Sequence, residues 1–330
     1  MDLRQLSALA AVADHRSFSA AARALHTVQS NVSTHIARLE RELGATLVDR
    51  SNGRLTEAGE LVVARARRIQ FELDALVSDV ASTSDHISGH VRLGVIGTTG
   101  RWLVPLLLPA VAAAHPHIQV VVIDATTTSL LPQLLDSRLD LAVVNLPLNA
   151  PDIDAEPLFD EELVLVVPEG HPLDQEGPVP IAEVAEHPLL LEPRGTAFRD
   201  DLDVDAARAG VVLVPQAEVD GMRLLATLAF AGFGPSVLPA TAAPPTVTAG
   251  PWKRVGITGV TPRSVGLATR RRSLVSAPGR AVGDVLRRIV ADEGRSHPGV
   301  LPAAAPAGPS VTGTIAPDES TTSREQRLRG

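Results

Sequence analysis

Along 27–44, Val28, Val32, Ile36, Leu39 and Leu43 recur at steps of four, four, three and four. That spacing predicts one apolar face of an α-helix. Thr27 offers an N-cap hydroxyl and Gly44 stands where a left-handed residue stops a helix. The opposite face opens with Gln29, Ser30, Asn31, Ser33 and Thr34, then His35 and Arg38, short hydrogen-bonding groups where a solvated helix carries Glu/Lys pairs. Upstream, 17–25 reads as a short helix capped by Ser19, with Ala20, Ala21 and Ala22 small enough to let a second helix cross closely. Two helices joined by about three residues, the second with a polar N-terminal face, form the helix-turn-helix pattern of DNA-binding proteins, although a plain helical hairpin shares the periodicity. Leu3, Leu6, Leu9, Ala10 and Ala13 predict a first helix packed beneath the pair.

After Gly44, 45–48 and 54–56 flank Ser51-Asn52-Gly53, and Asn-Gly between short extended runs signals a hairpin. Such a wing sets Arg50 at its base and Arg54 at its tip, in reach of phosphate or the minor groove; solvated hairpin arginines are the alternative. Thr56 caps a predicted helix over 57–82, in which Val62, Ala66, Ile69, Leu73, Leu76 and Val80 keep the heptad spacing of a coiled-coil seam. A stripe this narrow suits a second helix, so dimerisation is expected there, with packing on the chain's own body as the rival.

Beyond a short hinge over 82–89, strands and helices alternate. The first series has strands at 91–96, 119–123 and 141–145 and helices at 102–114 and 130–137. The second has strands at 163–167, 189–191, 216–219 and 236–238 with helices at 198–209 and 222–231; a strand at 264–269 and a helix at 280–293 close it. Near-continuous apolar strands alternating with helices predict parallel sheets in an α/β unit. From His297 the chain is rich in Ala, Pro, Ser, Thr and Gly, and is expected to be disordered.

Phe18-Ser19-Ala20-Ala21-Ala22 through Leu25, Gln29-Ser30 with Val32-Ser33, Ile36, Leu39-Glu40, Glu42-Leu43-Gly44, and Leu55-Thr56 with Ala58-Gly59 resemble the N-terminal signature of LysR-type transcriptional regulators. The match is ungapped to about Leu47, with two departures: Thr34 stands where the family often has Arg, and the stretch between Arg50 and Leu55 is shorter than usual. Leu93-Gly94, His115-Pro116, Asp140-Leu141-Ala142, His171-Pro172-Leu173 and Ala231-Gly232-Phe233-Gly234 resemble pieces of the same family's two-lobed effector domain, which is similar to periplasmic binding proteins. The resemblance covers about residues 1–293 and implies a dimerisation helix, tetramers on DNA and DNA bending. The expected fold is α+β multidomain: a winged helix-turn-helix over 1–58, a linker and dimerisation helix with hinge over 59–88, an effector domain over 89–296 and a tail over 297–330. Lobe one takes 89–160 plus 266–296, and lobe two 161–265.

The expected DNA contacts are Gln29, Ser30, Asn31, Ser33, Thr34, Arg38, Arg50 and Arg54. For the ligand, Gly97-Thr98-Thr99-Gly100, Thr126-Thr127-Thr128-Ser129, Arg194-Gly195-Thr196 and Asp220-Gly221 each follow a predicted strand and introduce a helix, and Asn145 ends another strand. Ligands in open α/β sheets sit at such strand ends. Thr98, Thr99, Thr126, Thr128, Asn145, Arg194, Thr196 and Asp220 are therefore the expected ligand contacts, and Arg194 with the hydroxyls points to a small carboxylate. Each threonine can equally be a plain helix cap.

Composition narrows the function. The 330 residues are 45% hydrophobic, enough for more than one core, and include no Cys, so thiolate metal sites and Cys nucleophiles are excluded. The net charge of −8 argues against nucleic acid only if it is uniform; residues 1–70 hold ten Arg against seven Asp or Glu. So slight a basic excess implies that one copy binds DNA weakly and that a dimer is needed. No phosphate loop, metal-spaced cluster or G-x-S-x-G motif marks an enzyme, no cofactor is expected, and without a long apolar run the protein is expected in the cytoplasm, off the membrane. A ligand-responsive transcription factor accounts for both halves, with double-stranded DNA, a small effector and a second copy of itself as partners. A solute-binding module or an architectural DNA protein without effector response accounts for one half each.

Overall fold

A computed structural model describes residues 1–82, 86–243, 250–271 and 274–303. Helix α1 (Leu3–His15) is fixed by a capping box between Asp2 and Gln5, and α2 (Phe18–Ala24) and α3 (Gln29–Leu43) cross above it. Buried Ala21 and Ala22 permit the close crossing, and Leu9, Val12, Val32, Ile36 and Leu39 fill the core beneath. The expected N-caps of α2 and α3 are both displaced. Ser17, not Ser19, accepts the Ala20 amide, and the N-cap of α3 is Val28, not Thr27. The Thr27 amide is tied back to the Ala22 carbonyl at 2.9 Å, so Thr27 still belongs to the turn. Val28 and Leu43 are 60% and 43% exposed, which narrows the buried stripe to Val32, Ile36 and Leu39.

Strands β1 (Val48–Asp49) and β2 (Arg54–Leu55) form the antiparallel wing, turning through Gly53 at φ +70°. Thr56 then caps α4 (Glu57–Ala81) through the Gly59 amide at 3.0 Å. A Cβ on Gly59 would stand 2.0 Å from the Leu47 carbonyl oxygen, so this crossing of wing and helix requires glycine. On α4, Val63, Ala66, Phe71 and Ala75 face the chain's own body. Ala66 thus leaves the expected seam, because α1 packs over it. Ile69, Leu76 and Val80 are exposed by 40%, 59% and 61%, and Val62 and Leu73 are half-buried.

The first lobe has a six-stranded sheet in the order Val300–Pro302, Ile153–Glu161, Arg263–Arg270, Leu141–Leu146, Gly89–Val95, Ile118–Asp124. Here β3 (Gly89–Val95) runs parallel to β4 (Ile118–Asp124) and β5 (Leu141–Leu146), with α5 (Gly97–Ala114) and α6 (Thr127–Leu135) as crossovers. Strand β6 (Ile153–Glu161) leads to the second lobe, where β7 (Leu163–Pro168), β8 (Val179–Pro180), α7 (Ile181–Val184), β9 (Leu189–Leu191), α8 (Ala197–Arg208), β10 (Pro215–Glu218), α9 (Met222–Phe230), β11 (Ser236–Pro239) and β12 (Trp252–Thr258) follow. Strand β13 (Arg263–Arg270) returns to the first sheet and α10 (Ala277–Glu293) packs upon it.

The sheets are mixed rather than parallel. Strands β13 and β6 carry the chain between the lobes, and β13 enters antiparallel to both β5 and β6. In the second lobe β12 is antiparallel to β7 but parallel to β8. Order also persists past His297: β14 (Val300–Pro302) pairs antiparallel with β6, and the His297 ring lies 4.5 Å from that of Trp102. Those apolar residues gain a sheet edge that local composition does not reveal. The rest of the expected tail, 304–330, and hinge residues 83–85 lie outside the described residues. Among the described residues no helix is long and apolar enough to cross a membrane.

Helix α4 is seated on the first lobe. The Arg270 guanidinium lies 4.0 Å from the centre of the Phe71 ring, and the Asp79 carboxylate accepts the Ala277 amide at 2.7 Å, at the start of α10.

Candidate nucleic-acid interface and ligand cleft

Residues Gln29, Ser30, Asn31, Thr34 and Arg38 project from the exposed side of α3, and Ser33 is half-buried. Their polar groups are held in place by neighbours. The Ser19 hydroxyl donates to Gln29 Oε1 at 3.2 Å, Asn31 Nδ2 donates to the Thr27 hydroxyl at 3.0 Å, and the Thr34 hydroxyl donates to the Ser30 carbonyl at 2.8 Å. No side chain caps α3, so its first amides are open to an anion such as a phosphate. On the wing, Arg50 is 3.3 Å from Glu40 and Arg54 is exposed at the start of β2. The Glu40 carboxylate also accepts the Leu47 amide at 2.8 Å, and so ties α3 to the wing.

Between the lobes lies a cavity of about 390 Å³. Four helix starts meet there, those of α5, α6, α8 and α9; α6 is capped by the side chain of its own N-cap residue, Thr126, and the Met222 amide at the start of α9 meets the Glu192 carboxyl. Of the expected contacts, Thr98, Thr126, Asn145, Thr196 and Asp220 line it. The Thr98 hydroxyl and Asn145 Oδ1 are buried without a protein partner. Such groups are costly to leave unmade and mark a place for a ligand.

Three expected contacts lie elsewhere. Thr128 is exposed, and it is Thr127 that turns inward, accepting the Asn145 amide at 3.0 Å. Thr99 is fully buried behind the cavity wall, 3.4 Å from Arg263. Arg194 points outward, its side chain 70% exposed and 4.0 Å from Asp203. Two arginines line the wall, and the buried one, Arg263, is 7% exposed and paired with fully buried Glu161, which also accepts the Thr241 hydroxyl and amide. Arg223 reaches Asp124 at 2.5 Å and links the lobes.

Glu192 also belongs to the site, although it is not among the expected contacts. It follows β9, is 6% exposed and lines the cavity. Burial pushes its carboxyl from 4.5 up to about 7, aided by the charge of Asp220 and opposed by Thr196, Arg263 and the Met222 amide. Its backbone is held by the fully buried Arg199, which donates to the Glu192 carbonyl at 3.0 Å and pairs with Asp203 and Glu218.

Two family models match this arrangement: a bacterial regulatory helix-turn-helix of the lysR family over residues 3–60, and a LysR substrate binding domain over 84–291. The chain belongs to the LysR family of transcriptional regulators. A probable hydrogen peroxide-inducible genes activator of Streptomyces viridosporus is 38% identical over 245 residues, 73% of this chain and 78% of that one. A full-length OxyR variant from Pseudomonas aeruginosa superimposes with a TM-score of 0.69 at 26% identity, covering 88% of this chain and 94% of the other. Full-length CbnR in complex with its target DNA gives 0.64 at 25% identity, covering 87% and 99%. In this LysR-family regulator, α1 to α3 with the wing form the DNA-binding helix-turn-helix unit, and the two lobes form the effector domain.

Proposed function

We propose that this LysR-family regulator binds promoter DNA as a dimer, in tetramers as the family resemblance implies, and that a small carboxylate-bearing metabolite in the interlobe cavity controls it. The observation that carries the effector reading is the pair of buried, unpartnered polar groups, Thr98 Oγ1 and Asn145 Oδ1, in a cavity where the starts of α5 and α8 have no side-chain cap. Helix starts favour an anion, so the carboxylate is placed there even though Arg194 is not part of the site. The paired α3 helices enter successive major grooves while Arg50 and Arg54 hold phosphates. Ligand binding shifts the lobes toward closure, and the seating of α4 on lobe one through Phe71 and Asp79 carries that shift to the DNA-binding unit.

Relatives bear names that refer to hydrogen peroxide. This chain has no Cys, so oxidation of a thiol to a sulfenate or disulfide has no acceptor here. That supports a reversibly bound effector, for a regulator that we read as acting in the cytoplasm without an enzymatic step. Melting-temperature screening of the full chain against a metabolite library, followed by DNA titrations with each hit, tests the reading. A stabilising metabolite should change DNA affinity or footprint; cavity ligands that alter neither contradict effector control.

A further inference from the structure

The interlobe cavity is electrically divided. On the lobe-one side stand the Gly97 and Thr98 amides at the uncapped start of α5, with the buried Thr98 hydroxyl and Asn145 Oδ1. On the lobe-two side stand the carboxylates of Glu192 and Asp220. Both arginines of the lining are engaged by framework acids, Arg263 by Glu161 and Arg223 by Asp124. Among the described residues neither Glu192 nor Asp220 has a salt-bridge partner, and Arg223, the lobe-two arginine of the lining, is turned to Asp124 of lobe one. Ile96, Phe198, Met222 and Leu224 also line the cavity and supply apolar surface.

We propose that the effector is a compact zwitterion of the amino-acid class, its ammonium held by Glu192 and Asp220 and its carboxylate by the Gly97 and Thr98 amides and the Thr98 hydroxyl. This assignment rests on the reading of the cleft as the effector site and names its ligand chemistry. A ligand with opposite charges at its two ends engages both lobes at once, and so binds the closed form better than the open one, which is the condition for a ligand to drive closure. The apolar wall receives the ligand's side chain. An anion without an amine would bring no counter-charge to Glu192, whose carboxylate form burial and the charge of Asp220 already disfavour. Burial holds Glu192 near 7, so an incoming ammonium lowers its pKa and releases a proton at neutral pH.

The test uses the full chain and a matched panel: the proteinogenic L-amino acids with 4-aminobutyrate and 5-aminovalerate, each beside the acid lacking its amine and the amine lacking its carboxylate. Melting temperature identifies binders, and calorimetry in buffers of different ionisation enthalpy measures affinity and proton release. At least one zwitterion should bind with release of a proton, and neither of its truncated partners should match it. Glu192→Gln and Thr98→Val should each weaken it by roughly tenfold or more, Glu192→Gln should abolish the proton release, and Thr128→Val should leave affinity unchanged. Melts of the unliganded variants separate lost binding from lost stability. A panel without a zwitterion binder overturns the proposal. So does an amine-free acid that binds as tightly and still depends on Thr98, although the cleft then remains the effector site. Binding that ignores both Glu192 and Thr98 removes the cleft reading itself.

Discussion

The Thr127 hydroxyl accepts the backbone amide of Asn145 at 3.0 Å, joining the start of α6 to the end of β5. One residue further on, Thr128 faces solvent. Thr127→Val should therefore leave a buried amide unpaired and cost about 1 to 3 kcal/mol, whereas Thr128→Val should stay within about 0.5 kcal/mol of the parent. Denaturant unfolding of both variants checks this, and equal effects would contradict the inward assignment of Thr127.

Glu192 should make the protein less stable as pH rises. Its folded pKa of about 7 lies above the ordinary 4.5, so between these values the folded chain holds a proton that the unfolded chain has lost. Stability contributed by this group is full below about 4.5 and is lost through about 7, with a total of about 3 kcal/mol. Glu192→Gln should flatten that slope and stabilise the protein at pH 8 relative to the parent. A parent and variant with parallel stability profiles across this window would show that Glu192 titrates normally.

Leu76 is 59% exposed on α4, so an aspartate there costs the isolated chain little. If the face bearing Ile69, Leu73 and Leu76 joins two copies, Leu76→Asp buries a charge in the seam and should weaken dimerisation by roughly tenfold or more. Sedimentation should show a parent dimer and a folded variant monomer at the same concentration. A parent that sediments as a monomer, or a variant that stays dimeric, contradicts this use of α4.

Periodicity made the helices legible because their burial is local: Val32, Ile36 and Leu39 are three to four residues apart and meet one core. Caps were less legible, since Thr27 is claimed by the turn through its amide bond to Ala22. Strand β6 escaped because its Asp, Glu and Pro break any apolar run, and its place is set by β13 and β14. In the cleft, hydroxyl-rich segments at strand ends located the cavity, but which threonine turns inward depends on the helix phase. Arg263 has no local signature at all, because its partner Glu161 arrives from another strand. Glu192 does have one, an acid directly after the apolar triplet Leu189–Leu191, but an acid is not the residue type that an anionic ligand implies.

Whether α3 reads DNA sequence is decided by selecting bound sites from random duplexes with the full chain. Gln29 stands in the first turn of the helix, and its amide can pair with both edge groups of an adenine. The parent should enrich a site with two related half-sites. Gln29→Ala should relax the preference at one base pair in each and cost about 1 to 3 kcal/mol, while Arg54→Ala should weaken binding to all sequences alike. A parent that enriches no sequence, or a Gln29→Ala variant that selects the parent's site unchanged, would contradict base reading by α3.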